Sequence, residues 1–163
     1  MQKINAKKIV VIAMPGCGNL GDDLISVCLT NQINKNYKDS SIYVLHGSIS
    51  NPLDSLYPSS VKLLEVPTLR EPKKYVSRQQ KINSVLNDAD LVVIGGGGLF
   101  QDTHSALNIH LWFKNIAKLK SNTSIIALGV GFGPFRFEFS KWYLRRVLPA
   151  FDFVQVRDIE SEK

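Results

Sequence analysis

A doubly wound, parallel α/β sheet is the fold this sequence predicts, and three observations carry that expectation. Short β-rich apolar runs alternate with longer stretches of helical pattern, the order that builds βαβ crossovers and a parallel sheet. Several runs are continuous Val, Ile and Leu rather than alternating, as in strands buried on both faces. Three of them lead directly into glycine-rich turns, and in such sheets ligands bind beyond the carboxyl ends of the strands.

Each element follows from its residues. Lys8–Met14 is an apolar run and the first strand. The turn Gly16-Cys17-Gly18-Asn19-Leu20-Gly21-Asp22-Asp23 opens a helix over Asp22–Lys35, whose acidic first turn suits the helix dipole. Ile42–His46 and Val61–Val66 are β-rich runs, joined by Ser48–Ser60, a Ser-, Asn- and Pro-containing surface loop. Glu71–Leu86 has a helical pattern, and Leu91–Ile94 is a short buried strand. It runs into Gly95-Gly96-Gly97-Gly98-Leu99-Phe100-Gln101-Asp102. Four glycines in a row weaken any helix or strand by about 0.5–1 kcal/mol each, but allow a tight turn in which the backbone approaches a ligand. A helix over His104–Lys120 follows, then the strand Ser124–Leu128 and the turn Gly129-Val130-Gly131-Phe132-Gly133-Pro134. A helix over Glu138–Leu148 and the strand Phe153–Val156 complete the order.

Composition bounds the rest. The 163 residues, 44% of them hydrophobic, suit one domain with its own core. A formal net charge of +6 fits an anionic ligand or membrane surface, but there is no dense basic cluster of the kind that binds nucleic acid. No apolar run approaches the ~18–20 residues of a membrane span. Lys3, Lys7, Lys8 and Gly16-Cys17 imitate a lipoprotein leader, yet the apolar run between them is too short and Pro15 sits before the would-be cleavage site. Cys17 and Cys28 are too few for a disulfide framework and lack metal-ligand spacing, so a reducing cytoplasm is the expected compartment and no metal site is expected.

Gly16-x-Gly18-x-x-Gly21 matches the dinucleotide fingerprint literally. The second strand, however, ends Val44-Leu45-His46-Gly47, without the acid that would hold a ribose, so no nucleotide cofactor is expected. Asp102 has two readings, a cap for the helix beginning near His104 or a polar group on the floor of a cleft. His104 can exchange protons near neutral pH, whereas His46 and His110 read as structural or surface residues. Cys17 has no nameable basic partner, and Lys74, Arg78 and Lys81 read as a solvated helix face. Arg136 can reach a carboxylate or phosphate bidentately. Arg157-Asp158 at the last strand end serves equally as an anion contact, an ion pair or a cap.

These elements, taken in order, resemble the polysaccharide pyruvyl transferase family. Gly18, Asn19, Leu20, Gly21 and Asp22 match its first turn, although Asp23 stands where Glu is common. Gly95, Gly96, Gly97, Leu99, Gln101 and Asp102 match its second element. Gly129, Gly131, Gly133 and Pro134 match the third, and Arg157, Asp158 and Ser161 the fourth.

The resemblance implies a Rossmann-like domain, one half of a two-domain architecture similar to GT-B-type transferases. Residues 1–163 correspond to the first domain, and the second, with basic residues for phosphoenolpyruvate, has no counterpart among them. The implied reaction moves a pyruvyl group from phosphoenolpyruvate onto two hydroxyls of a glycan or lipid-linked sugar, without a cofactor. Asp22, Asp102 and His104 are the candidates for sugar contact or proton handling. Gly18, Asn19, Gly21, Gly95, Gly96, Gly97, Gly98, Gln101, Gly131, Gly133, Arg136 and Arg157 are the candidates for substrate binding. Two other readings stand beside this one: a non-catalytic or partner-dependent module, and the acceptor half of a glycosyltransferase. A homo-oligomer, a partner domain and peripheral contact with the inner face of the membrane are left open.

Overall fold

In the computed structural model of the chain, which describes residues 5–13, 15–16, 18–47, 54–67, 71–103, 119 and 122–162, six strands form one all-parallel sheet. They are β1 (Lys8–Ile12), β2 (Ser41–His46), β3 (Val61–Glu65), β4 (Leu91–Gly95), β5 (Ser124–Val130) and β6 (Phe153–Val156). The order across the sheet is β3-β2-β1-β4-β5-β6. The chain winds outward from β1 in one direction and from β4 in the other, so the switch point lies between these two strands. The doubly wound α/β expectation holds.

The two central strands show why this sequence chooses the arrangement. All five residues of β4 are buried, as are Ile9–Ile12 of β1. Their side chains alternate between two cores. Ile9, Val11, Leu91 and Val93 face one, together with Ile33 of α1 (Leu20–Asn36). Val10, Ile12, Val92 and Ile94 face the other, with Ile82, Val85 and Leu86 of α2 (Pro72–Asn87) and Leu144 and Val147 of α3 (Glu138–Val147). Continuous apolar strands are thus consumed on both sides. Asp90 pins the opposite, amino edge by accepting from the amides of Lys7 and Lys8, each at 2.8 Å.

Helix ends follow local chemistry. Asn19 caps α1 by accepting from the Gly21 amide at 3.0 Å, and Asp22, Asp23 and Lys35 complement the dipole. Pro72 opens α2, where its missing N–H costs nothing. Boundaries differ modestly from expectation: β1 ends at Ile12 rather than Met14, and α1 begins at Leu20, because the cap falls on Asn19. A 3-10 turn, Asp54–Leu56, interrupts the expected loop. The helix expected over His104–Lys120 falls mostly outside the described residues.

Two of the four consecutive glycines answer to packing. A Cβ on Gly95 would collide with Leu29 of α1, and one on Gly96 with the stiff, β-branched Ile25. Gly96 also has φ +69°, and its amide donates to Leu128 O at 3.0 Å. Gly129 has φ +61° but faces open space. Gly129→Ala should therefore cost only the left-handed strain, about 1–2 kcal/mol. Gly96→Ala adds overpacking against α1, for about 2–4 kcal/mol in all. Urea denaturation of the two variants reads the difference, and equal losses would remove the close-packing account.

Candidate functional site

Because all strands run one way, the turns after β1, β4 and β5 open on the same edge. Hydrogen bonds join the second turn to the third. The Gly131 amide donates to Gly97 O at 3.1 Å and the Gly133 amide to Phe100 O at 2.8 Å. Phe100, fully buried, stacks on Phe132 with centroids 4.5 Å apart, worth about 0.5–1.5 kcal/mol beyond the area buried. The fourth motif secures the same place: Asp158 accepts from the Ser161 amide and hydroxyl at 2.9 and 2.6 Å, and Ser161 Oγ accepts from the Phe132 amide at 3.0 Å. These contacts with Ser161, with Arg157 beside them, hold the Asp158 carboxyl below the usual carboxylate range.

Four of the expected residues meet here. Asp22 Oδ1 lies over Gly97, 2.5 Å from where a Cβ would stand, and the Arg157 guanidinium lies over Gly131, 3.1 Å from the equivalent point. Any side chain at either glycine would displace the charged group. Asn19 Nδ2 donates to Asp22 Oδ2 at 3.0 Å and orients it. Burial pushes the Asp22 carboxyl up, as does the neighbouring Asp23 charge, against the opposing pull of Asn19 and Arg157. Arg157 also contacts Asp158 at 3.1 Å, but its side chain stays 58% exposed and open to an anion. The Gln101 amide sits against Gly98. Gly18 and Gly21 belong to the turn and first helical residues beside Asn19. His104 and Cys17 lie outside the described residues.

Asp102 has a role that neither reading included. It is fully buried, and its two oxygens accept from the amides of Arg136 and Phe137 at 2.7 and 2.9 Å. Among the described residues the helix it serves is α3, whose own N-cap residue, Phe137, makes no side-chain cap. Burial would push its pKa up. The Arg136 amide, the nearby Ser140 hydroxyl, the Phe137 amide and the Arg136 charge outweigh that and hold it below the usual value. Ser140 Oγ acts there by proximity, since it is buried without a hydrogen-bond partner. Arg136 thus contributes its amide to the frame, while its side chain is exposed.

Sequence reasoning missed several contributors. Asp23 Oδ1 accepts from the Gly16 amide at 2.7 Å and closes the first turn; an acid following a glycine turn was the available signal. An open groove of about 1230 Å³ lies beside Arg157, lined also by Phe132, Pro134, Phe135, Lys141 and Arg145. The Lys74–Arg78 stripe is not a free anion surface. Arg78 bridges Glu65 and Glu71 at 2.7 and 2.6 Å, and Lys74 pairs with Glu71 at 2.8 Å. Among the described residues no group of His, Cys, Asp and Glu is arranged to hold a metal.

Asp102→Asn is expected to cost about 1–3 kcal/mol, because an amide accepts from one N–H while its own NH2 faces the other. On an exposed cap the same exchange is nearly neutral. The folded pKa lies below the ordinary 3.8. The stabilisation is therefore present above that value and lost as pH falls through the folded pKa. Thermal melts across acid pH should show a lower and flatter profile for the variant. Superimposable profiles would mean that the charge contributes nothing.

Among the described residues, no helix is long and apolar enough to cross a membrane. A search of curated proteins finds no match. The profile of the polysaccharide pyruvyl transferase family matches residues 19–163, a span that runs from the cap of α1 through the Arg157–Ser161 element. The four glycine- and aspartate-bearing elements that converge on the carboxyl edge all lie within or at the border of that match, and the chain belongs to the polysaccharide pyruvyl transferase family.

Proposed function

We propose that the protein takes part in pyruvyl transfer from phosphoenolpyruvate to two hydroxyls of a polysaccharide or lipid-linked sugar, and that residues 1–163 form the acceptor side of the cleft. The observation that carries this reading is the pairing of Asp22 over Gly97 with Arg157 over Gly131 on adjoining turns. A carboxylate and a guanidinium, each seated on a bare glycine, offer a hydroxyl acceptor and an anion contact side by side.

The reaction balances as follows. The two acceptor oxygens bond to C2 of the enolpyruvyl unit, and the C2–O bond to phosphate breaks. One hydroxyl proton ends on C3, which becomes a methyl group, and the other leaves with phosphate. In our reading Asp22 accepts a hydrogen bond from an acceptor hydroxyl and handles its proton, and its raised pKa brings it nearer working pH. Asn19 holds that carboxylate in place. Arg157, Arg136, Gln101 and the amides of Gly97 and Gly98 provide polar contacts to substrate, whereas the amides of Gly96, Gly131, Phe132 and Gly133 already donate within the fold; His104 is a second candidate for proton transfer. Asp102 positions the turn that bears Arg136. The wall that grips the donor comes from a second domain of the family architecture, outside residues 1–163, and the compartment is cytoplasmic.

Asp22→Asn in the two-domain enzyme should keep its melting temperature while losing roughly tenfold or more in kcat/KM, about 1.4 kcal/mol of transition-state stabilisation. Phosphate release from phosphoenolpyruvate with a glycan acceptor is the measurement. Undiminished turnover would take proton handling away from Asp22. The 163-residue polypeptide alone should release phosphate no faster than the uncatalysed background, and robust turnover would refute the division of the cleft between two domains.

A further inference from the structure

Helix α3 buries Ser140, Leu144 and Val147, packs Tyr143 partly against the same core and turns Phe139 and Trp142 outward. Phe139, Trp142, Tyr143 and Arg146 follow the i, i+3, i+4, i+7 spacing of one helix face. Phe139 stacks on Trp142 and Tyr143 with centroids 5.7 and 6.2 Å apart. The Arg146 guanidinium lies 4.3 Å from the Trp142 ring centre. Phe137, Phe139 and Trp142 leave 48, 49 and 48% of their surface exposed. Single exposed rings are ordinary, but a contiguous aromatic cluster is not.

Charge says what such a face suits. Between Arg136 and Arg146 the sequence places four cations, Arg136, Lys141, Arg145 and Arg146, against the single carboxylate of Glu138. Glu138 is already paired with Lys141 at 2.6 Å. Among the described residues Arg145 and Arg146 form no ion pair. Aromatic rings and arginine also mark protein–protein interfaces, so the uncompensated positive charge is what selects an anionic partner. Exposed rings beside cations that no carboxylate answers match elements lying in the headgroup layer of an anionic bilayer. We propose that this face of α3 docks the protein on an anionic membrane surface, with Phe137, Phe139 and Trp142 entering the boundary between headgroups and acyl chains and the arginines beside lipid phosphates. The adjoining flank of the helix, from Arg145 round to Lys141, lines the groove beside Arg157, so docking brings that groove close to the membrane plane.

Vesicle co-sedimentation tests this without donor or acceptor, so its outcome is separate from the pyruvyl-transfer reading. The protein should sediment with vesicles containing phosphatidylglycerol and not with phosphatidylcholine alone, and Trp142 emission should shift to the blue. Phe139→Ala with Trp142→Ala, and separately Arg145→Glu with Arg146→Glu, should each reduce partitioning by roughly tenfold or more. Lys73→Glu on exposed α2 should leave it almost unchanged, which distinguishes a local face from the net charge. Should the aromatic pair fail to fold, the arginine pair and the emission shift still decide. Absence of vesicle binding, equal binding by the arginine variant, equal loss in Lys73→Glu, or self-association abolished by the same changes without vesicle uptake would each overturn the proposal.

Discussion

A buried carboxylate with no outlet to solvent has to be matched by donors, and Asp102 finds two of them in backbone amides thirty-four and thirty-five residues away. That requirement organises the carboxyl edge. The segment after the glycine run and the segment leading into α3 can be adjacent in one way only, the way that gives both carboxylate oxygens an amide. The Phe100–Phe132 stack and the Gly133-to-Phe100 hydrogen bond lie along the same seam. Each is modest in strength, but all demand the same register between the second and third turns. The Asp158–Ser161 link then fixes the third turn to the end of β6.

With the frame set this way, the charges that face outward can be separated from those that hold it together. Asp23, Asp102 and Asp158 each accept backbone amides and are used by the fold. Among the described residues Asp22 accepts only from the Asn19 side chain, and its neighbourhood raises its pKa where the others at this edge with a resolved shift are lowered. A carboxylate the fold does not consume, oriented and partly desolvated, is the one with capacity left for a ligand.

Much of this was legible in the sequence, for physical reasons. Continuous apolar runs such as Ile9–Ile12 and Leu91–Ile94 can be satisfied only between two covered faces, so they announce a parallel sheet whatever their neighbours. The missing acid after β2 was equally readable, because a ribose contact needs a carboxylate at one place. The purpose of the glycines was less so. Gly95 and Gly96 admit Leu29 and Ile25 of α1, and nothing local distinguishes room for a helix from room for a ligand. The partner of Asp102 was not legible at all. Capping rules operate over three or four residues, whereas its amides arrive through the pairing of β4 with β5. Arg78 misled in the same way, since its partner Glu65 sits on a different element.

The distribution of basic residues follows from these pairings. On α2 the cations Lys74 and Arg78 are paired with Glu65 and Glu71, while Lys73 and Lys81 form no ion pair among the described residues. On α3 Glu138 is the one acid, and Trp142 and Tyr143 occupy the positions one turn before Arg146 where an acid would answer it. Among the described residues Arg136, Arg145 and Arg146 stand outside any ion pair, as do Lys35, Lys38, Lys62, Lys73 and Lys81 on other elements. The local field therefore follows which carboxylates are set against which cations rather than the count of basic residues, and on α3 it is the aromatic Trp142, not an acid, that lies against Arg146.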